Sequence, residues 1–211
     1  MSRTLSRLIA LLALAAALPA VAVEPAAFQT AFQQFQRATA GDKDAIEPAA
    51  QQFGSLSAAE PADPVLLAYA GAATSMRATT TMLPWKKMSL AEDGLAQLDK
   101  ALAMLAPAHE QLLHRGTPAT LETRFIAANT FLALPAMFNR QPRGAKLLDE
   151  VLASPQFAGA PLGFRGAVWL RAGIAAQGDK RPDDAKRWFQ QVISSGAPQA
   201  PAAQAKLKEL S

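Results

Sequence analysis

The sequence predicts an all-α protein, an α-solenoid in which short helices stack in antiparallel pairs. Half of the 211 residues are apolar, and residue types that favour helix dominate the chain, whereas runs of β-branched residues are nearly absent. Apolar residues recur at helical spacing in successive segments that begin or end at proline or glycine. Because no such segment buries its apolar face alone, we expect neighbouring segments to stack into one continuous core.

The clearest unit is residues 166–198, which predicts two amphipathic helices joined by a turn. The first helix ends at the turn signal Gly178-Asp179. Pro182 suits the first position of the second helix, which Gly196 caps. The buried stripe of the second helix is expected to contain Ala185, Trp188, Phe189, Val192 and Ile193.

Small and aromatic residues stand at fixed offsets in this unit. Trp169 and Gly173 lie in the first helix, and Ala185, Phe189 and Pro198 follow in or after the second. At these offsets the unit resembles a tetratricopeptide repeat (TPR) of about 34 residues. Positions where the family usually has other residues are Ala172, Ala176 and Val192. The resemblance implies a TPR-like superhelix of about four antiparallel helix pairs plus a C-terminal capping helix, in which the first helix of each pair lines the concave side.

Proline, glycine and capping residues give the expected helix bounds. The expected helices are 26–40, about 44–57, 63–79, 89–107, 117–135, about 145–153, 161–178, 182–196 and 201–210. Residues 80–88 predict a long connector, an insertion after which Ser89 and Glu92 form a capping box. Residues 108–115 predict a short helical turn. A closed bundle of the same helices is the alternative architecture.

Residues 1–22 have the features of a secretory signal peptide. Arg3 and Arg7 precede a short apolar core, and residues 20–22 form an A-x-A cleavage motif. We therefore expect cleavage, a single domain over residues 23–211, a periplasmic location and no stable membrane insertion. A retained membrane anchor is the alternative. Cleavage leaves 19 basic and 17 acidic residues, a net charge of +2, which does not favour a nucleic-acid partner.

The sequence contains no pattern that is typical of catalysis. His109 and His114 are five residues apart, whereas a helical zinc motif needs histidines four apart, so we interpret both as solvated. The chain has no cysteine, no Gly-x-Ser-x-Gly motif and no glycine-rich phosphate loop. Its paired carboxylates fall at helix starts or on polar faces. We therefore expect a protein that is not an enzyme and holds no cofactor or metal.

Arginine and aromatic side chains are the remaining candidates for contacting a protein or peptide partner. Arginines on or near first helices could bind carboxylates, although ion pairs with acids on neighbouring helices are the alternative. A core position is the alternative for Tyr69, and for Trp85 the alternative is that it folds back over the edge of the solenoid. The candidate partner-binding residues are Tyr69, Arg77, Trp85, Lys87, Arg124, Arg140 and Arg165.

These observations favour a non-enzymatic binding module of the bacterial cell envelope, which holds a protein or peptide in a concave helical groove. The alternative is a structural subunit of a permanent envelope complex, whose apolar faces form interfaces. An enzyme with a site made of scattered acids and Arg140 is the least favoured interpretation, because no spacing in the sequence supports it.

Overall fold

A computed structural model describes residues 25–210, and the expected signal peptide at residues 1–22 lies outside that range. The described chain is mostly helical, which confirms the all-α class. Its α-helices are α1 (Pro25–Thr39), α2 (Ile46–Ala59), α3 (Pro64–Met76), α4 (Pro84–Ala103), α5 (Ala119–Ala133), α6 (Gln141–Leu152), α7 (Leu162–Gly178), α8 (Pro182–Ser194) and α9 (Ala200–Lys208).

Proline at the first helical position and a capping side chain set the start of α3. Pro64 occupies the first turn, where its missing N–H costs nothing. The side chain of Asp63 accepts hydrogen bonds from the backbone N–H of Val65 at 2.8 Å and of Leu66 at 3.3 Å. These bonds satisfy two of the donors that a helix start leaves free, as the sequence predicts.

The fourth helix begins at Pro84 and not at Ser89, so the expected long connector is wrong. Pro84 supplies a preset φ at the first helical position, and the Lys87 N–H donates to the Leu83 carbonyl at 3.0 Å. The expected capping box is also wrong, because Ser89 lies inside the helix and its hydroxyl contacts Asp93. A 3₁₀ turn at Arg77–Thr80 and three further residues are all that separate α3 from α4.

The sixth helix also begins earlier than expected, at Gln141. Pro142 is accommodated in its first turn, where no intrahelical N–H bond is lost. Gly144 then lies within the helix, not in a turn, and packs against Phe131 and Leu132 of α5. Glycine at this position reflects close helix packing and not the end of a turn.

The helical turn expected for residues 108–115 is present only in part, and a short hairpin follows it. After a 3₁₀ helix at Pro107–Glu110, strands β1 (Leu113–His114) and β2 (Thr117–Pro118) pair antiparallel. The two residues between them, Arg115 and Gly116, have φ values of 53° and 76°. Positive φ at both central positions defines a type I′ turn, which matches the twist of a two-residue hairpin.

The apolar core is continuous along the chain. Most helices pack on their neighbours in sequence, and α3 additionally packs on α5. Helices α3 and α4 approach each other closely where Gly71 and Gly94 face one another. None of the helices in residues 25–210 combines the length and hydropathy that a membrane span requires.

Candidate functional site

A cavity of about 410 Å³, here called the aromatic cavity, lies between α1, α3, α5 and α7. Its polar lining includes Asn129, Arg171 and Gln199. Its apolar lining includes Phe32, Phe35, Phe125, Phe164, Leu170 and Ile174. A mostly apolar wall with a few polar groups is the composition of sites that bind organic ligands or apolar side chains.

One wall of the aromatic cavity holds a buried polar cluster of Tyr69, Arg115 and Glu122. The Tyr69 hydroxyl donates to Glu122 Oε1 at 2.5 Å, and the Arg115 guanidinium donates to the same oxygen. Arg115 Nη2 also lies 3.2 Å from the Tyr69 hydroxyl. The side chain of Glu122 is only 1% exposed, so the charge of Arg115 compensates for its loss of hydration.

Aromatic rings surround this cluster and fix its geometry. The Tyr69 ring stacks on Phe53 at 4.6 Å and meets Phe35 edge to face at 4.9 Å between ring centroids. The Arg115 guanidinium carbon lies 3.6 Å from the Phe32 ring centroid, a close cation–π contact. The cluster therefore joins α1, α3 and α5 through Phe32, Tyr69 and Glu122.

Burial and the charge of Glu122 raise the pKa of Tyr69 well above its ordinary value of 10. Below pH 10 the phenol is neutral in both folded and unfolded chains. Above it only the unfolded chain ionises its tyrosine, so we expect the free energy of unfolding to fall by up to about 1.4 kcal/mol per pH unit.

Tyr69 is the only tyrosine, so tyrosinate absorbance reports on it alone. Urea unfolding at about pH 9 and about pH 11 tests this expectation. If Tyr69→Phe lost as much stability as the wild type between these two pH values, the expectation would be contradicted.

His114 joins the hairpin to the start of α3. Its Nε2 lies 2.7 Å from Asp63 Oδ2, and its ring lies 5.1 Å from the Phe28 ring, centroid to centroid. The interpretation of His114 as a solvated histidine is therefore wrong, because the hairpin folds it against the helix cap. His109 instead accepts the backbone N–H of Ala106 on Nδ1 at 3.0 Å.

Arg171 is the second cationic group of the aromatic cavity, and it has no carboxylate partner among the described residues. Its Nη2 donates to the Asn129 carbonyl of α5 at 2.7 Å, while its buried Nε has no hydrogen-bond partner there. Burial lowers the pKa of Arg171, but a guanidinium remains charged at neutral pH. Arg171 therefore brings a positive charge without a carboxylate partner to the cavity lining, although its Nε is itself buried.

A second cavity of about 760 Å³, here called the charged cavity, lies between α6, α7 and α8, and Arg171 lines it as well. Its charged groups largely neutralise one another, since Asp184 lies 2.7 Å from Arg181 and also pairs with Arg187. The charged cavity therefore presents solvated ion pairs, which contribute little binding energy.

Three of the predicted arginines form ion pairs with acids on other helices. Arg77 contacts Glu47 of α2 at 2.8 Å, and Arg124 contacts Glu150 of α6 at 3.5 Å. Arg140 lies 2.9 Å from Asp99 of α4. None of the three lines the aromatic cavity. The structure thus has the pairing between helices that the sequence left as the alternative, and the role of these arginines in binding a partner stays a prediction.

The other predicted residues lie apart from one another. Tyr69 lines the aromatic cavity but is almost fully buried. The guanidinium of Arg165 lies 5.5 Å from the Trp169 ring, outside the cavity lining. Trp85 and Lys87 are exposed in the first turn of α4, so Trp85 does not fold back over the protein.

Sequence reasoning did not identify Arg115 and Glu122 as partners of Tyr69. The hairpin that carries Arg115 has no strong turn signal, because arginine rarely adopts positive φ. The sequence gives no such signal for Glu122 either, and only the structure shows that α5 is buried on all sides from Ala119 to Thr123. An acid inside such a stretch has to be paired.

No protein-family model, curated protein or solved structure significantly matches this chain. Within residues 25–210 no group of three or more His, Cys, Asp or Glu side chains is arranged to hold a metal ion. The arrangement that the described residues offer is an apolar cavity with Arg171 and amide groups at its edge.

Proposed function

We propose that this protein is a non-enzymatic binding module that holds an extended peptide segment in the aromatic cavity, and that its helices form a TPR-like α-solenoid. The observation that carries the proposal is which helices contribute residues to the lining of the cavity. The cavity is lined from α1, α3, α5 and α7, the first helix of each pair, together with Arg115 and residues 198–199. Among the described residues α2, α4, α6 and α8 contribute nothing to it. This pattern is what a concave solenoid surface requires.

The chemistry of the aromatic cavity favours an extended peptide. Phe125, Phe164 and Leu170 offer apolar contact for side chains, and an extended backbone carries one donor and one acceptor for each residue. The side-chain amide of Asn129 belongs to the cavity lining and can bond such groups, and Arg171 adds a positive charge there. A peptide that binds here gains both apolar burial and hydrogen bonds.

The proposed location is the periplasm, with the peptide encountered after export. The features of residues 1–22 support this location: two arginines, a short apolar core and an A-x-A motif. Determination of the N-terminus of the protein recovered from cells tests it, because cleavage after Ala22 leaves Val23 first.

We expect Ala167→Trp to abolish peptide binding while leaving the fold intact. Ala167 lines the aromatic cavity on α7 and is only partly buried, so an indole there occupies the cavity without entering the core. Peptides selected by the wild type from a random display library serve as probes in fluorescence anisotropy. The expected loss of affinity is at least about 100-fold, because the indole excludes the ligand from most of the cavity.

Ala103→Trp is the matched control. Ala103 is exposed at the last residue of α4 and lines neither cavity, so the same change there should leave affinity within about twofold. Equal affinity of both variants for the selected peptides, or selection of no peptide at all, would overturn the proposal.

A structural subunit of a permanent envelope complex is the second candidate function. The observation that favours it is a set of exposed apolar side chains away from both cavities, which includes Leu112, Leu113 and Met137. Such side chains are expected at interfaces. Sedimentation of the purified protein separates the two functions. A protein that stays monomeric and soluble by itself would disfavour an obligate subunit of a complex.

A further inference from the structure

The corner between α3 and α4, residues 82–87, concentrates exposed apolar side chains. Met82 is 87% exposed, Leu83 45% and Trp85 69%. Half of the large hydrophobic side chains exposed in the described part of the chain thus fall within four consecutive positions. Scattered single apolar residues are normal on protein surfaces, but a contiguous group with an exposed tryptophan marks an interaction site.

Two positive charges lie directly beside this group. Lys86 and Lys87 are exposed in the first turn of α4, and neither forms a salt bridge within residues 25–210. The nearest acids along the helix are Glu92 and Asp93, more than a turn further on. The corner is therefore both apolar and positively charged.

We propose that this corner, Met82–Lys87, binds the surface of an anionic lipid bilayer. Trp85 is placed among the headgroups, where tryptophan is enriched in membrane proteins, and Leu83 and Met82 enter the outer edge of the acyl chains. Lys86 and Lys87 lie against the lipid phosphates. This function goes beyond peptide binding, because it uses a surface that lines neither cavity.

The size and composition of the corner favour a bilayer over a protein partner. A stable protein interface takes roughly 20–30 residues from each side, whereas the corner offers six. A bilayer needs only a few inserted side chains plus neighbouring positive charge to hold a protein reversibly. The adjoining residues Thr79 and Thr80 are exposed and polar, which suits the headgroup region.

The backbone of the corner is well suited to present these side chains. Pro84 fixes the start of α4, and the Leu83 N–H donates to the Thr81 hydroxyl at 3.3 Å. Trp85 is thus held on the first turn of a helix whose later turns pack on α3. Little conformational entropy is lost when a preformed tip enters the interface.

Vesicle flotation tests this proposal. The sample is the protein purified from cells after export, with the N-terminus that it has there. The wild type should float with phosphatidylcholine vesicles that contain phosphatidylglycerol and not with pure phosphatidylcholine. Each lysine near an anionic surface raises partitioning about fivefold, so loss of both in Lys86→Glu/Lys87→Glu should weaken binding by about 25-fold or more. Trp85→Ala should weaken it about tenfold.

Lys146→Glu/Lys208→Glu is the matched control for charge. Both lysines are exposed, form no salt bridge among the described residues and lie far along the chain from the corner. This control should change vesicle binding less than about threefold. Any contribution from the N-terminal residues is common to all variants, and circular dichroism checks that each is folded.

Three results would overturn the proposal: no binding of the wild type to anionic vesicles, an equal effect of the control pair, or Trp85-dependent dimerisation without lipid. The last would make the corner an interface between copies. Ala167→Trp should bind vesicles like the wild type, so failure of peptide binding and failure of lipid binding are distinguishable.

Discussion

Replacing Gly94 with alanine is expected to lower the free energy of unfolding by about 3 kcal/mol. A Cβ at Gly94 would lie 2.5 Å from the Gly71 carbonyl oxygen and 2.6 Å from the Ser75 nitrogen. Both atoms belong to the backbone of α3, so no side chain can rotate away, and α3 and α4 have to separate. Separation opens gaps along the most extensive helix contact in the described chain. Urea unfolding followed by circular dichroism measures the loss.

Gly54→Ala is the matched control for this prediction. Gly54 lies inside α2, and a Cβ there would meet nothing within 4 Å. Alanine should therefore stabilise the protein by about 0.5–1 kcal/mol, because it has the higher helix propensity. If both substitutions changed stability in the same direction, close packing would not be the reason for glycine at position 94.

Replacing Arg115 with methionine is expected to destabilise the protein by about 3 kcal/mol. The substitution keeps side-chain length and leaves the buried Glu122 carboxylate without a counter-charge, with Tyr69 as its remaining donor. It also removes the contact of the guanidinium with the Phe32 ring. Methionine is no more strained than arginine at the positive φ of this turn, so backbone strain does not contribute. The measurement is the urea midpoint at neutral pH.

The double variant Arg115→Met/Glu122→Gln separates charge from packing. Removing both charges leaves a neutral acceptor for Tyr69, and most of the lost stability should return. A double variant as unstable as the sum of both single variants would show that the ion pair contributes nothing specific.

Helix class and most helix positions could be predicted from the sequence, because they depend on local spacing and on proline and glycine. The start of α4 could not, since Pro84 and Ser89 are both competent to begin a helix and only packing on α3 decides between them. The hairpin at residues 113–118 was not predicted for a related reason, because Arg115 adopts a positive φ that is rare for residues other than glycine.

The site was less predictable than the fold. Tyr69 lines the aromatic cavity, but its hydrogen bonds depend on Glu122, which follows it by 53 residues. The arginines at positions 77, 124 and 140 have the residue type that a groove requires, and acids on other helices neutralise them. Pairing over such distances depends on tertiary structure, which spacing along one helix does not encode.

The packing around α7 is uneven. This helix packs much more extensively on α8 than on α5 or α6, and both cavities open along that weaker boundary. Arg171 reaches across it to the Asn129 carbonyl. The C-terminal helices α7 to α9 are thus joined to the rest of the protein by few contacts, of which the Arg171–Asn129 hydrogen bond is one, so we expect this boundary to open at lower free energy than the other helix contacts.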